Sequence, residues 1–193
     1  MKRIIDNLTK EEIKFSKEDL PIMIHGKEHS GASLLSITIA ALFHSSGKKM
    51  CIFTAYDMAK DEFLKQVQDR EKVFCLEDDK NISESFKFQT IIVKSGDIEL
   101  FEKFIRYSSF DKDRIIFIKN IETINTQLFK LVQPYSFMVS GDLQFNLVQQ
   151  DFKNFTYNTK IFLTPMFGEV VPPLEKYQAF MKNNLSEKII VVV

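Results

Sequence analysis

Short apolar runs alternate with amphipathic stretches along most of this chain. Continuous apolar runs are typical of strands buried on both faces, and amphipathic segments between them are typical of the helices that cover such strands. The alternation therefore predicts an α/β fold with a mostly parallel central sheet. The predicted strands are Pro21–His25, Met50–Ala55, Val73–Leu76, Thr90–Val93, Arg114–Ile118, Ser136–Ser140, Asn154–Leu163 and Lys188–Val193.

Helices are predicted between these strands from apolar spacing and end signals. Gly47 marks the end of the first helix, which carries a stripe of Leu34, Leu35, Thr38, Ile39 and Leu42, and Pro172-Pro173 mark the start of the last helix. The predicted helices are Gly31–Ser45, Asp57–Gln68, a helix opened by Asp97, Thr123–Val132 and Leu174–Lys182. We expect one domain spanning residues 1–193, with residues 1–20 as a leader that has one or two helical turns behind a Thr9–Glu12 capping box. Residues 77–88 are charged and irregular, which indicates a mobile surface loop.

Composition narrows the classes of partner. Lys plus Arg and Asp plus Glu both number 26, so no overall field attracts nucleic acid or an anionic membrane. DNA binding would require a local basic patch or a channel formed by an oligomer. No apolar run approaches the roughly 18 residues of a membrane span, and the first residues lack the apolar core of a signal peptide. With two cysteines in apolar stretches, Cys51 and Cys75, we expect a cytoplasmic protein with reduced thiols.

The strongest motif follows the first long apolar run. Residues 26–33 fit the phosphate-loop pattern G-x-x-x-x-G-K-[ST], with Gly26 and Gly31 at the expected spacing and Ser33 at the hydroxyl position. Ala32 stands where the pattern requires lysine. Backbone N–H groups and the helix dipole still favour an anion here, but the ammonium group that contacts the terminal phosphates is missing. The nucleotide-binding residues predicted from this loop are Gly26, Lys27, Glu28, His29, Ser30, Gly31, Ala32 and Ser33.

Residues 47–57, which begin with Gly47, resemble the second strand of RecA-like ATPases, including the KaiC and replicative-helicase branches. In those proteins an acidic residue at the end of this strand positions the attacking water. The resemblance makes Asp57 the matching candidate, although the family usually has Glu there and Tyr56 is an equal candidate for the aligned place.

Residues 115–122 are similar to the family's apolar strand that ends in a magnesium-binding aspartate, but Lys119 occupies the aspartate position. A cation there is incompatible with the standard metal site, so we expect no metal site of that type and no conventional ATP hydrolysis. The resemblance covers roughly residues 20–165 and implies a three-layer RecA-like P-loop fold with degenerate Walker A and Walker B motifs. RecA-like folds place the nucleotide between subunits, which implies a homo- or hetero-oligomer of RecA-like subunits.

Two lysines are candidates to replace the missing charges. Lys27 lies within the loop, and some P-loop families use such a lysine to reach a neighbouring subunit's nucleotide. Lys119 is placed to bind phosphate directly without magnesium. The simpler interpretation of both is a solvated charge.

Weaker signals lie elsewhere in the sequence. His25 and His29 flank a loop, so metal ligation is not expected there. Gly141-Asp142-x-Gln144 is similar to a phosphate-sensing motif of some helicases. The alternative interpretation is an ordinary turn after a strand. Aromatic residues interleaved with lysines favour either base stacking or, more simply, a core strand; they are Phe145, Phe152, Lys153, Phe155, Tyr157 and Lys160.

We therefore expect a catalytically inactive RecA-like P-loop ATPase homologue that acts as an assembly or regulatory subunit with a protein partner. The only cofactor expected is ATP or another nucleotide, bound without a standard magnesium site. One alternative is an atypical ATPase that uses Lys27, Ser33 and Asp57. A further alternative is an accessory protein that handles nucleic acid, which the neutral net charge does not favour.

Overall fold

A computed structural model describes residues 2–107, 111–121, 124–142, 155–165, 169–176 and 178–193. In this part of the chain, ten strands form one sheet in the order β1-β10-β9-β8-β2-β7-β6-β3-β5-β4. The strands are β1 Ile4–Asp6, β2 Ile22–His25, β3 Met50–Thr54, β4 Val73–Leu76, β5 Thr90–Val93, β6 Ile115–Lys119, β7 Phe137–Gly141, β8 Thr159–Phe162, β9 Gln178–Asn183 and β10 Glu187–Val192. The helices are α1 Ala32–Ser45, α2 Met58–Gln66, α3 Ile82–Ser85, α4 Ile98–Tyr107 and α5 Thr126–Val132.

The strands from β8 to β4 in this order are parallel to one another, which confirms a mostly parallel sheet. Antiparallel strands β9, β10 and β1 extend the sheet beyond β8. Because seven neighbouring strands run in one direction, their last residues lie along one margin, here called the carboxyl edge. Their first residues lie along the opposite margin, here called the amino edge.

Helices cover both faces of the sheet. Met50 and Ile52 of β3 belong to a buried cluster that includes α1 and α2, whereas Cys51 and Phe53 belong to a second cluster that includes α4 and α5. Phe53 stacks on Phe101 of α4 with ring centroids 4.5 Å apart. Consecutive strand residues therefore enter different cores, which explains why the strands have continuous apolar sequences.

The first helix is buried on more sides than its predicted stripe suggests. Leu34 and Leu42 are only half-buried, while Ser36, Ile37 and Ala40 are buried. The helix packs against α2 as well as against the sheet, and this second neighbour removes the simple amphipathic pattern. Gly47 follows the helix with φ of +79°, as its predicted position requires.

The predicted helix Leu174–Lys182 is wrong, because this region contains strand β9, which forms a hairpin with β10. Ala179 and Met181 pack into the cluster of α1 and α2, whereas Phe180 packs into the other cluster against Phe162. The apolar residues alternate between two buried faces, so their local sequence does not distinguish a strand from a helix.

Two predicted irregular segments are also more ordered than expected. The leader lacks the predicted helical turn at Thr9; instead β1 pairs with β10, and a 3-10 turn at Lys17–Asp19 is capped by the Ser16 side chain. Residues 77–88 contain helical turns, including α3, and Phe86 stacks on Phe104 at 5.3 Å. The prediction of irregular structure for residues 77–88 is therefore wrong. The mobility of these residues stays a prediction.

Helix α5 begins at Thr126 rather than at Thr123. The Asn125 side chain accepts a hydrogen bond from the Leu128 N–H at 2.8 Å, which fixes the helix start. Residues 122 and 123 lie outside the described part of the chain.

Candidate functional site

The phosphate-loop residues lie at the carboxyl edge, between the end of β2 and the start of α1. Gly26 is required by space: a methyl group there would lie 2.3 Å from Ser30 Oγ and 2.8 Å from Ala32 Cβ. Gly31 has φ of +91°, a left-handed conformation that favours glycine. The two glycines identified by spacing therefore have different physical roles in one tight loop.

The loop exposes backbone donors at the start of a 14-residue helix. His29 also has a positive φ, of +62°, so the chain turns sharply before Gly31. The Ser30 hydroxyl accepts a long hydrogen bond from the Ala32 N–H at 3.4 Å. The N–H groups of Gly31 and Ser33 donate to no acceptor among the described residues. These groups and the helix dipole retain a preference for an anion.

Neighbouring strands hold the loop in place. The Gly26 N–H donates to the Gly141 carbonyl at 3.2 Å, and the Lys27 N–H donates to Thr164 Oγ1 at 3.3 Å. Leu163, which follows β8, packs within van der Waals reach of both loop glycines. The loop is therefore anchored by β7 on one side and by the end of β8 on the other.

The side chains of the loop carry little of the charge that a nucleotide needs. Ala32 begins α1 and is 7% exposed, with its methyl group towards Gly26. Ser33, the predicted hydroxyl ligand, is exposed, as are Lys27, Glu28 and His29. Lys27 is therefore the only ammonium group within residues 26–33, and it lies at the solvent-facing part of the loop.

Lys119 is the last residue of β6 and is only 7% exposed. It pairs in register with Thr54 of β3 and Ser140 of β7, and Nζ donates to Asn120 Oδ1 at 3.0 Å. Its position in the alternation matches Phe117, which packs on the face covered by α1. The interpretation of Lys119 as a solvated charge is therefore wrong: this cation is buried on the face from which the phosphate loop continues into α1.

The structure brings the predicted site residues to one edge but does not bring all of them together. Strand β7 lies between β2 and β6, so the backbones of β2 and β6 are about 10 Å apart. Asp57 follows β3, one strand further away, where it is exposed and makes no capping hydrogen bond to α2. Among the described residues, no three His, Cys, Asp or Glu side chains cluster as metal ligands. A hydroxyl and a buried ammonium group do not form a magnesium site.

His25 was not predicted to contribute to the site, but it supports the loop. This last residue of β2 is fully buried, packs edge-on against Phe162, and places Nε2 3.4 Å from Thr164 Oγ1. Burial lowers the pKa of His25, while the charge of Asp142 partly opposes that effect. The sequence signal that could have identified His25 is its position at the end of an apolar strand, directly before the phosphate loop. Gln144 of the Gly141-Asp142-x-Gln144 motif lies outside the described residues, as do Phe145, Phe152 and Lys153. Phe155 and Tyr157 pack in the cluster of α4 and α5, and Lys160 forms an ion pair with Glu169.

A cleft of about 220 Å³ lies elsewhere, at the antiparallel margin of the sheet. Its lining includes Asp6 of β1, Lys188 of β10 and Asp19. It includes no residue of the phosphate loop, so it is separate from the nucleotide site predicted from the sequence.

Sequence comparisons give no family: no family model matches the chain, and no curated protein matches it. No helix among the described residues combines the length and apolar character of a membrane span. The structure is nevertheless similar to solved ATPases. The genome packaging NTPase B204 from Sulfolobus turreted icosahedral virus 2, in complex with sulfate, matches with a TM-score of 0.61 and 13% identity over 89% of this chain and 96% of that chain.

A second similar structure is the cytoplasmic domain of the Thermomonospora curvata type VII secretion ATPase EccC. It matches with a TM-score of 0.63 and 10% identity over 100% of this chain and 26% of that chain. A B204 structure in complex with AMPPCP matches with a TM-score of 0.60 and 12% identity, over 89% of this chain and 97% of that chain. At these identities the similarity shows the fold alone, and this chain has the fold of P-loop NTPases.

Proposed function

We propose that this protein is a non-hydrolysing P-loop domain of the three-layer RecA-like type that serves as an assembly or regulatory subunit. The observation that carries the proposal is the buried lysine at the end of β6. Lys119 is enclosed at the carboxyl edge with its ammonium group bound to Asn120, where a magnesium-dependent ATPase needs an anion.

The charges of the site support this proposal. Phosphoryl transfer requires cations that neutralise the charge developing on the phosphates, which P-loop enzymes supply as a lysine and a magnesium ion. Here Ala32 removes the loop lysine, and the positive charge of Lys119 repels a divalent cation. Loss of both elements removes most of the electrostatic stabilisation of the transition state.

Nucleotide binding without hydrolysis remains part of the proposal. The Gly31 and Ser33 N–H groups are available to a phosphate, and a similar protein, B204, has structures in complex with ATP-gammaS and with AMPPCP. A nucleotide bound by backbone donors alone would be held weakly, because the charged contacts are missing. We expect its affinity to be indifferent to magnesium.

An oligomeric role is supported by similar structures in which this fold is one part of a longer ATPase chain. The chain corresponds to 26% of the EccC cytoplasmic domain and 40% of an EccC structure that contains ATPases 2 and 3. The second of these EccC structures thus contains more than one ATPase unit. We propose that this chain likewise works beside other RecA-like subunits, as a homo- or hetero-oligomer.

Binding of a fluorescent ATP analogue, with and without magnesium, tests the proposal together with ATP turnover. The wild type should bind weakly in both conditions and hydrolyse nothing above background. The double variant Ala32→Lys with Lys119→Asp should bind more tightly only when magnesium is present. A matched control is Ala32→Lys with Lys94→Asp, which makes the same charge changes but alters an exposed lysine after β5.

Measurements of ATP turnover also distinguish the proposal from the alternative of an atypical ATPase. Wild-type hydrolysis above background would overturn the proposal, and its disappearance in Asp57→Asn would favour that alternative. Equal behaviour of the double variant and its control would show that Lys119 does not determine magnesium dependence. Light scattering of the purified protein, alone and with nucleotide, tests the oligomeric role, and a monomer under all conditions would contradict a homo-oligomer.

A further inference from the structure

The amino edge of the sheet gathers basic residues from three turns that are distant in sequence. Strands β6, β3 and β5 are consecutive neighbours, so the turns that precede them lie side by side. Lys48 and Lys49 precede β3, Lys87 precedes β5, and Lys112 precedes β6. We call these four lysines the amino-edge patch.

Hydrogen bonds tie the three turns together. Arg114, at the start of β6, donates through Nη1 to the Met50 and Gln89 carbonyls at 2.9 and 3.1 Å, and through Nη2 to the Phe88 carbonyl at 3.3 Å. The Gln89 side chain donates to the Lys48 carbonyl at 3.3 Å. The backbone positions of the patch are therefore fixed relative to one another, even though its side chains are on the surface.

The acidic residues of these turns are already neutralised. Asp111 contacts the buried Arg114 at 2.9 Å and Lys49 at 3.6 Å, and Asp113 contacts Lys17 at 3.1 Å. Lys48, Lys87 and Lys112 form no ion pair with a described residue. The zero net charge of the whole chain therefore conceals a local excess of positive charge at this edge.

The shape and chemistry of the patch favour a linear polyanion. Lysines on three neighbouring strand starts span about 10 Å along a line, and a nucleic-acid strand carries one negative charge per about 3.4 Å. The exposed large apolar side chains of the described residues are Leu8, Tyr56, Met58, Tyr107, Val170, Leu185 and Val193. Of these, only Tyr107, the last residue of α4, lies next to one of the three turns. Among the described residues, the patch thus has no apolar cluster that would anchor a protein partner or a membrane, and a single tyrosine is no platform on which successive unstacked bases stack.

We propose that the amino-edge patch binds the phosphate backbone of double-stranded DNA without reading its sequence. This surface lies at the opposite edge of the sheet from the phosphate loop, and the inference does not depend on whether the loop binds nucleotide. Contacts of this kind position a duplex through charge and are strongly weakened by salt.

Fluorescence anisotropy with a short labelled duplex of mixed sequence tests the inference in nucleotide-free buffer. The wild type should bind, and its affinity should fall steeply between about 50 and about 200 mM salt. The triple variant K48Q/K87Q/K112Q should bind more than about tenfold more weakly at the lower salt, with a log–log salt slope shallower by roughly 2 to 3. The control K94Q/K130Q/K182Q removes the same net charge from exposed or half-exposed lysines elsewhere and should change binding little.

Several outcomes would overturn the inference. These are no binding by the wild type at the lower salt, an equal loss in the patch and control variants, or tighter binding to single strands than to the duplex. Patch-dependent binding to anionic vesicles in the absence of duplex binding would assign the surface to a membrane instead. Thermal melting should show that both triple variants are folded, because the substituted side chains are not buried.

Discussion

Arg114 offers the sharpest test of how this fold is held together. Its side chain is completely buried, yet its guanidinium group is charged. The guanidinium group donates to three backbone carbonyls and, through Nε, to Asp111 Oδ2 at 3.0 Å, and its Nη2 forms an ion pair with the same oxygen at 2.9 Å. We predict that Arg114→Met strongly destabilises the protein.

The magnitude follows from the groups left behind. Methionine replaces much of the apolar stem, so the packing loss is modest. The carbonyls of Met50, Gln89 and Phe88 lose a charged donor, and Asp111 loses its buried partner. Each such bond contributes about 1.5–3 kcal/mol but they are not additive, and breaking a buried pair typically costs about 3–5 kcal/mol. We expect a loss of about 3–5 kcal/mol, a large part of the stability of an average domain.

Urea unfolding followed by circular dichroism measures this loss as a lower midpoint. The control is Arg106→Met on α4, where an exposed Arg106 pairs with Glu102 at 2.7 Å, four residues earlier. That surface pair contributes only about 0.3–0.5 kcal/mol. An Arg114→Met protein within about 1 kcal/mol of the wild type would refute the assignment of Arg114 as the link between the three turns.

Two further predictions concern the loop and a buried histidine. Gly26→Ala should cost about 1–3 kcal/mol through overpacking, and removing the nearest atom with Ser30→Ala should recover part of the loss; no recovery in the double variant would contradict the steric explanation. His44 is buried with Nδ1 2.8 Å from Thr90 Oγ1, and burial lowers its pKa. The unfolded chain therefore binds a proton first as pH falls below about 6.5, and stability should decrease by up to about 1.4 kcal/mol per pH unit for this group until the lower folded pKa is reached. His44→Gln should make this pH dependence of stability shallower.

Most of the parallel strands were predictable because each fills two cores and so has a continuous apolar sequence. Residues 50–54 illustrate this: their apolar side chains alternate between the two clusters, and the pattern predicted the strand within one residue. The predicted strand Asn154–Leu163 was too long, because β8 is only Thr159–Phe162 and residues 155–158 are not in a strand. The loop glycines were also predictable, because the spacing of Gly26 and Gly31 reflects local geometry. Local requirements of this kind are recorded in neighbouring residues.

Features that depend on distant partners were not predictable in the same way. Strand β9 looks like a helix after two prolines until β8 and β10 are present on either side of it. The burial of Lys119 depends on its neighbours Thr54 and Ser140 from two other strands. The amino-edge patch combines three turns that are separated by dozens of residues, and the balanced composition gives no sign of it.

The two edges of the sheet can therefore be tested as independent surfaces. Strand β3 runs between them from Met50 to Thr54, a distance of about 13 Å, which exceeds the screening length of roughly 8 Å at physiological salt. Charge changes at Ala32 and Lys119 should thus leave the affinity for duplex DNA unaltered. Substitutions that remove the charge of lysines in the amino-edge patch should likewise leave the affinity for nucleotide unaltered. If nucleotide nevertheless changes duplex affinity in the wild type, direct electrostatics are too short-ranged to explain it. A conformational change within one subunit or a rearrangement of subunits must then connect the edges, and only the second kind of coupling should be lost under conditions that keep the protein monomeric.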